Sequence, residues 1–236
     1  MAISKNRADV ERGFDRDTLY PPADAIGLVK TLSFAKFDES VDIAYQLGID
    51  ARQADQIVRG TVSLPHGTGK TIKVVVFAND QAKEAEEAGA DVVGGQDLAD
   101  EIIAGRALDW DVTIATPDMM PVVGKLGQVL GPRGLMPNPK SGTVTKDVAK
   151  TVAAFKAGRV EYRNDRYGNV HVPVGRASFT AEQLLENFLE IAAEINRMRP
   201  ASTKGRYVKK VAISSTMGPG IKIDPSAIDD ALKEVD

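Results

Sequence analysis

The chain has 236 residues, of which 43% are hydrophobic and 27% charged, and its formal net charge is −3. This composition is that of a folded globular protein and excludes wholesale disorder or a fibrous chain. The absence of cysteine excludes a disulfide framework, a thiolate zinc site and a cysteine nucleophile. The N-terminus has no secretory signal, and no apolar run is long enough for a membrane helix, so we predict a soluble, cytoplasmic protein without a membrane partner.

The first part of the chain changes its hydrophobic pattern near residue 67. Residues 40–50 alternate apolar and polar side chains, which predicts a half-buried strand, and residues 57–64 predict a second one. Residues 72–78 are continuously apolar, as in a strand covered on both faces. Further strands are predicted over 92–93 and 111–116, and helices over 80–88 with Asn79 as its N-cap, 96–105 and 147–157. These repeated β-α units predict a parallel sheet between two helical layers.

After Gly158 the strands become amphipathic again. Residues 160–163 and 169–174 flank a turn-rich connection at 164–168, which predicts a hairpin. Residues 181–198 have the period of a long amphipathic helix, and the final strands are predicted over 207–216 and 220–223.

These segments predict two domains, one inserted into the other. Residues 1–66 and 159–236 form a discontinuous α+β domain of the split β-α-β type. Residues 67–158 form an inserted three-layer, Rossmann-like α/β domain. The glycine-rich crossings at 67–69 and at Gly158 predict a hinge between the two domains.

The net charge hides a segregation of charges along the chain. Residues 195–223 contain seven basic residues and no acidic one, and residues 119–146 contain four more. The charges near a contact, rather than the net charge, determine the electrostatic field that acts on a bound polyanion, because the Debye length is only ~8 Å in cellular salt. Each stretch is either a solvated face or a surface for a polyanion, and charge alone leaves both interpretations open.

No catalytic constellation is visible in the sequence. Residues 67–71 resemble part of a phosphate-binding P-loop, but Leu64 stands where its first glycine is needed, and a strand rather than a helix follows. There is no G-x-S-x-G motif and no pair of carboxylates in an acid–base pattern. We therefore predict no catalytic residue, no metal site and no cofactor.

Two unusual segments suggest contacts with a phosphate-bearing partner. Residues 129–140 combine three prolines and two glycines with Arg133 and Lys140, as either a structural loop over the inner sheet or a rigid basic surface. Residues 214–220 place hydroxyls, Met217 and glycines after Lys209 and Lys210. That chemistry suits RNA sugars and phosphates, although an ordinary β-turn explains the glycine and proline equally well.

Earlier in the chain, Phe37 lies between Lys36 and Ser40. Phe37 is either a core residue or a stacking platform for a base.

Taken together, five segments closely resemble the bacterial large-subunit ribosomal protein L1 family over about residues 21–223. They are residues 35–50, 58–70, 129–144, 162–176 and 214–220. The block Gly-Pro-Arg-Gly-Leu-Met-Pro-Asn at 131–138 is long and unusual in composition, which makes chance agreement improbable.

This resemblance implies a non-enzymatic protein of the cytoplasmic ribosome with the two-domain fold described above. It implies binding to large-subunit (23S) rRNA at the mobile stalk near the exit site and help in releasing deacylated tRNA. It also implies contact with other ribosomal components, repression of its own operon messenger, and a monomeric free state.

The resemblance also implies which residues contact RNA. The principal matches are Lys36, Phe37, Ser40, Thr216, Met217 and Gly218. Asp165, Arg166 and His171 match a neighbouring contact region. Lys209 and Lys210 would attract phosphates together with Lys36, and Arg133 and Lys140 would meet another part of the RNA or the tRNA.

This chain departs from the family pattern in its charge. Family members are generally basic, whereas this chain is slightly acidic. Its N-terminal arm contains four cations and four carboxylates: Lys5, Arg7, Arg12 and Arg16 against Asp9, Glu11, Asp15 and Asp17. Weaker nonspecific RNA binding than is usual for the family is therefore expected.

Two other classes of function stay open at this stage. One is a nucleotide- or sugar-phosphate-binding enzyme that uses the end of the inserted parallel sheet. The other is an adaptor that binds only proteins. An absence of RNA binding, or RNA binding that does not depend on salt, would favour this class.

Overall fold

The computed structural model describes residues 10, 12–79 and 81–235, so the arm residues Lys5, Arg7, Asp9 and Glu11 lie outside it. The chain divides into two compact units: Met1–Gly69 with Val160–Asp236, the discontinuous unit, and Lys70–Arg159, the inserted unit. The mixture of helices and sheets agrees with the α+β and α/β classes predicted from the sequence.

The discontinuous unit is built on a four-stranded antiparallel sheet in the order β7-β1-β8-β9. Its principal elements are α1 (Pro22–Leu32), β1 (Ser40–Leu47), β7 (Asn169–Arg176), α7 (Ala181–Arg197), β8 (Val208–Ser215), β9 (Ile221–Ile223) and α8 (Pro225–Val235).

Strict alternation in β1 gives this sheet one buried and one exposed face. The apolar side chains of β1 join a cluster with Ile26 of α1 and Phe188 of α7. Helix α7 begins at a capping box in which Thr180 and Gln183 exchange side-chain and backbone hydrogen bonds. The opposite face exposes polar side chains, among them Asp42, Gln46, His171, Lys210 and Lys222.

The predicted hairpin at residues 160–174 is wrong. Strand β6 (Arg159–Arg163) pairs with β2 (Arg59–Ser63) in a separate two-stranded sheet, whereas β7 pairs with β1. The cause is Asn164, whose backbone N–H donates to the carbonyl of Val58 and whose Oδ1 accepts from the Val58 N–H. In the part of the chain that the structure describes, one isolated bridge, between Asn164 and Val170, joins the two segments near the turn.

The inserted unit contains a three-stranded parallel sheet in the order β4-β3-β5. Its elements are β3 (Val74–Phe77), α2 (Ala82–Glu87), β4 (Val92–Gly94), α3 (Gln96–Ile103), β5 (Val112–Ala115), α4 (Met120–Lys125), α5 (Gly127–Leu130) and α6 (Val148–Lys156).

Both faces of this parallel sheet are covered, as the continuous apolar run predicted. Val75 and Phe77 join a cluster on one side, while Val74 and Val76 join a cluster with Phe155 on the other. The first helix of the unit begins at Ala82, two residues later than predicted.

Candidate nucleic-acid interface

Two segments distant in sequence meet at the end of the antiparallel sheet where β1 begins and β8 ends. Val41 lies opposite Ser215 in the ladder. Beyond that pair, the Thr216 hydroxyl accepts a 3.0 Å hydrogen bond from the N–H of Ser40 and donates one of 3.3 Å to its carbonyl. We call the result the Thr216 surface, which consists of Lys36, Phe37, Ser40, Thr216, Met217 and Gly218.

A buried carboxylate holds the two segments together. Glu39 is fully buried, and its Oε2 accepts a 2.9 Å hydrogen bond from the N–H of Met217. Its Oε1 accepts from the hydroxyl of Ser33 at 2.7 Å and from the N–H groups of Phe34 and Ala35 at 3.1 and 2.9 Å. One side chain therefore fixes the backbone on both sides of the surface.

The electrostatics of Glu39 agree with this geometry. Burial opposes ionisation of the carboxyl group, but the hydrogen bonds from Met217, Ser33, Ala35 and Ser215 outweigh it and lower the Glu39 pKa from 4.5 to about 2. The group is therefore an anion at neutral pH, and its charge is satisfied within the protein.

Gly218 is required by the close approach of Ser215. The N–H of Gly218 donates a 3.1 Å hydrogen bond to the Ser215 hydroxyl, which also bonds Glu39. A Cβ atom at position 218 would lie closer to Ser215 Oγ than real Cβ contacts do. Only glycine therefore fits this turn without a shift of the backbone or of Ser215.

Above this network the surface exposes groups of several chemical kinds. Phe37 is 56% exposed and Met217 49%, so neither is a core residue. Lys36 and Thr216 are also exposed, and the Ser40 hydroxyl accepts a 3.2 Å hydrogen bond from Arg176. An aromatic ring, a thioether, hydroxyls and a cation over a fixed backbone suit stacking, sugar and phosphate contacts with folded RNA.

The structure places other predicted residues at the opposite end of the sheet. In the pairing of β1 with β8, Lys210 lies opposite Gln46. In the pairing of β1 with β7, Gln46 lies opposite Asn169, which follows the turn containing Arg166. Because Gln46 is six residues from Ser40, the two ends are about 20 Å apart at a rise of ~3.3 Å per residue.

His171 lies between the two ends on the exposed face, opposite Ala44. Its side chain is exposed.

Asp165 has a structural position in its turn. Its carboxylate accepts hydrogen bonds from the N–H groups of Tyr167 and Asn169, each at 2.8 Å, and from the Asn169 amide at 3.0 Å. Burial opposes ionisation, but these bonds outweigh it and lower the Asp165 pKa. Asp165 therefore shapes the turn that presents Arg166.

Arg133 and Lys140 belong to the inserted unit. In their segment Leu130 is buried, and Leu135 and Met136 pack partly buried against the cluster on one side of the parallel sheet. Arg133 is exposed, with a 3.4 Å hydrogen bond to the carbonyl of Leu108, and Lys140 is exposed as well. The segment is thus a packed structural loop that also displays both cations.

Sequence reasoning missed Glu39. A glutamate beside a strand is expected in solvent, because lone carboxylates are rarely buried, and no local pattern marks Glu39 as an exception.

The described residues offer neither a group of three or more side chains arranged to hold a metal ion nor a helix with the length and hydropathy to span a membrane.

Comparison with known proteins adds independent information. Residues 29–219 match the model of the ribosomal protein L1p/L10e family. The chain is 58% identical to the large ribosomal subunit protein uL1 of Nocardioides sp. over 227 residues, which cover 96% of this chain and 94% of that protein. It is 53% identical to the uL1 protein of Thermobifida fusca over 234 residues, with 99% of each chain covered. The protein of the same name from Streptomyces virginiae is 52% identical over 238 residues, covering 100% of this chain and 98% of its own. The chain belongs to the ribosomal protein L1p/L10e family.

Proposed function

We propose that this protein is a constituent of the large ribosomal subunit in the bacterial cytoplasm and that it binds large-subunit rRNA through the Thr216 surface. The observation that carries the assignment to RNA is that Phe37 and Met217 are both exposed on the two segments that the Glu39 carboxylate joins. The names of the relatives, all large ribosomal subunit proteins, support the choice of rRNA.

Rigidity is what makes this arrangement suited to a structured RNA. An exposed aromatic and an exposed thioether on flexible loops would lose conformational entropy on binding. Here the Glu39 carboxylate and the Ser215 hydroxyl fix the neighbouring backbone through hydrogen bonds. Lys36 adds a salt-sensitive attraction for phosphate beside these shape-dependent contacts.

The finer features of the function belong to the same proposal. The rRNA site is at the mobile stalk near the exit site, where the protein assists release of deacylated tRNA and meets other ribosomal components. The free protein is a monomer, and it represses its own operon messenger by binding a stalk-like structure there. The family resemblance supports these features. It also supports a division into an RNA-binding domain of residues 1–66 and 159–236 and an inserted domain of residues 67–158, with a hinge between the two. The proposal also includes further RNA contacts, which the family resemblance implies, by Asp165, Arg166, His171, Lys209, Lys210, Arg133 and Lys140.

The enzyme alternative loses its support. The family consists of ribosomal structural proteins and is not enzymatic. The adaptor that binds only proteins has no observation in its favour, and the experiment below separates it from an RNA-binding protein.

A filter-binding titration tests the proposal. The full chain is titrated against a stalk fragment of bacterial large-subunit rRNA and against a scrambled RNA of equal length, at several salt concentrations. We expect tight binding to the stalk fragment alone, weakened at least tenfold by Met217→Ala because the exposed thioether contacts the RNA directly.

Leu19→Ala is the matched control, since Leu19 is an exposed apolar residue of the same unit outside the Thr216 surface. It should bind as the wild type does. Equal, weak binding to both RNAs would overturn the function, whereas selective binding that Met217→Ala leaves unchanged would overturn the site.

A further inference from the structure

A cavity lies within the discontinuous unit, between β1, the C-terminal end of α7 and the start of α8. Its volume is about 330 Å³, at the lower end of the range of small-molecule sites. We call it the Tyr45 cavity, and its lining includes Tyr45, Ala192, Arg199, Tyr207, Val208 and Ile228. A cavity of this size holds a compact organic molecule.

Two buried hydroxyls in the lining have no hydrogen-bond partner. Tyr45 is 1% exposed and Tyr207 5%, and neither phenol oxygen bonds another group among the described residues. The phenol of Tyr162, which is also buried in this unit, instead donates a 3.2 Å hydrogen bond to Glu194. Buried polar groups of proteins are nearly always paired, so two unpaired hydroxyls in one cavity point to a ligand that pairs with them.

Both hydroxyls keep their protons at neutral pH. Burial raises the pKa of Tyr207 to about 12, although the positive charge of Arg199 opposes part of this increase. Burial also raises the pKa of Tyr45 above its usual 10.0. Each phenol can therefore donate a hydrogen bond, and a ligand with acceptor oxygens can use both donors.

The charged groups of the lining favour an anion. Arg199 and Arg206 contribute two cations and Asp229 one carboxylate, and all three side chains are exposed at the cavity. The Asn196 amide donates a 3.5 Å hydrogen bond to Asp229. The guanidinium carbon of Arg199 lies 5.9 Å from the centre of the Tyr207 ring, so this cation is close to one of the unpaired phenols.

The remaining walls require an organic body on the ligand. Ala192, Pro225 and Ile228 are buried, and Val208 is half-buried. An inorganic anion would leave this apolar surface in contact with water, whereas an apolar group of the ligand would cover it. The lining thus combines hydrogen-bond donors and a cation with an apolar wall.

The cavity is separate from the Thr216 surface. Tyr45 is five residues from Ser40 along β1, about 17 Å at a rise of ~3.3 Å per residue. Its side chain is on the buried face of the strand, whereas the Thr216 surface is at the end of the sheet. A ligand in the cavity therefore leaves the Thr216 surface uncovered.

We propose that the Tyr45 cavity is a binding site for a compact organic carboxylate, whose oxygens accept hydrogen bonds from Tyr45 and Tyr207 and whose charge pairs with Arg199. The apolar body of the ligand packs against Val208 and Ile228. This site goes beyond the proposed function and does not depend on it.

Benzoate is the probe, because it joins a carboxylate to a compact apolar ring. In an NMR titration of the full chain, we expect saturable shifts of the amide signals around Tyr45, Tyr207 and Ile228, with a Kd of about 1 mM or lower. Benzamide, which has the same shape without the charge, should bind roughly 5- to 10-fold more weakly. Inorganic phosphate should not produce these shifts. An absence of saturable shifts with benzoate, or the same shifts with phosphate, would overturn the proposal.

Variants that remove a single hydroxyl test the hydrogen bonds. Tyr45→Phe and Tyr207→Phe should each weaken benzoate binding at least tenfold. Their urea midpoints should be no lower than that of the wild type, because neither hydroxyl loses a partner. Tyr162→Phe is the matched control, since it loses the bond to Glu194 and some stability but should bind benzoate as the wild type does.

The results that contradict the hydrogen bonds are equally specific. Wild-type affinity for benzoate in both Tyr45→Phe and Tyr207→Phe would overturn the proposal. A loss of stability in these variants equal to that in Tyr162→Phe would also overturn it, because their hydroxyls would then already be paired in the absence of a ligand.

A charge variant completes the test. Arg199→Gln should reduce the affinity for benzoate to that for benzamide and leave benzamide binding unchanged. Unchanged benzoate affinity in Arg199→Gln would overturn the pairing with the carboxylate. Met217→Ala should bind benzoate as the wild type does, so a failure of the RNA proposal and a failure of this one are distinguishable.

Discussion

The backbone N–H of Met217 donates a 2.9 Å hydrogen bond to the buried carboxylate of Glu39, which lies 178 residues earlier in the chain. Because the same carboxylate also binds Ser33, Phe34 and Ala35, one anion determines the backbone on both sides of the Thr216 surface. Under the proposed function, stability and RNA recognition are therefore coupled through this side chain, although it is itself buried.

Replacing Glu39 with glutamine should destabilise the discontinuous unit. The amide keeps one oxygen but turns an NH₂ group toward backbone N–H donors, which leaves buried hydrogen bonds unmade. We expect a loss of about 2–3 kcal/mol in the free energy of unfolding, measured by urea denaturation. The control is Glu190→Gln on the exposed side of α7, which should stay within about 0.5 kcal/mol of the wild type. Equal stability of both variants would show that Glu39 does not hold the two segments.

The same carboxylate predicts a pH dependence. Its pKa is about 2 in the folded protein and 4.5 when unperturbed, so the folded state binds its proton more weakly. The stabilisation is complete above pH 4.5 and is lost as the pH falls toward 2, and it corresponds to about 3 kcal/mol. The difference in unfolding free energy between the wild type and Glu39→Gln should therefore shrink below pH 4.5. A difference that stays constant down to pH 2.5 would contradict the assignment.

Gly218→Ala should weaken RNA binding by displacing the turn. The added Cβ meets Ser215 Oγ, so either the hydroxyl or the backbone has to move. Gly220→Ala is a close control, because a Cβ at position 220 meets nothing within 4 Å. In the titration with the stalk fragment, we expect reduced affinity for Gly218→Ala and unchanged affinity for Gly220→Ala.

A double variant sharpens this test. Ser215→Ala removes the atom that the new Cβ meets, although it also removes a hydrogen bond to Glu39. The effect of Gly218→Ala should be smaller in the Ser215→Ala background than in the wild type. Strictly additive effects would rule out the steric cause.

Asn187→Ala should destabilise the discontinuous unit without direct loss of an RNA contact. This fully buried amide donates to the carbonyls of Val174 at 2.8 Å and Gly67 at 3.0 Å and accepts from the N–H of His66 at 3.1 Å. Three backbone groups lose their partner, and we expect a cost of about 2–4 kcal/mol in urea denaturation. Asn196→Ala, which loses only a 3.5 Å bond to Asp229, should cost far less. Similar costs for both variants would refute this account.

Much of the fold was predictable because hydrophobic periodicity is local. Which faces of an element are buried is visible in its sequence: in the alternation of β1, in the continuous apolar run of β3 and in the helical periodicity of α7. Strand pairing was not predictable in the same way. The turn before β7 forms as its residues indicate, yet β6 pairs with β2 because of two hydrogen bonds between Asn164 and Val58, a contact that no local pattern encodes.

The candidate site was predictable only in part. Phe37 and Met217 are apolar residues in polar, turn-rich segments, and the residues alone left open whether Phe37 is buried; the structure exposes both. Their proximity depends on the register of β1 and β8, which the alternating patterns leave undetermined. Glu39 escaped prediction because a buried carboxylate is recognisable only once its hydrogen-bond donors, distant in sequence, are in place.

The bond between Ser40 and Thr216 also has a consequence for the order of events during synthesis. The two residues are 176 positions apart, so the first half of the surface emerges from the translating ribosome long before the second. At roughly 5–20 residues per second, the interval is about 10–35 s. During that time β1 lacks its partner β8, and the nascent chain has no completed Thr216 surface with which to capture RNA. Under the proposed function, recognition therefore begins only after β8 and Thr216 have been synthesised, and a nascent chain without them does not occupy the RNA site.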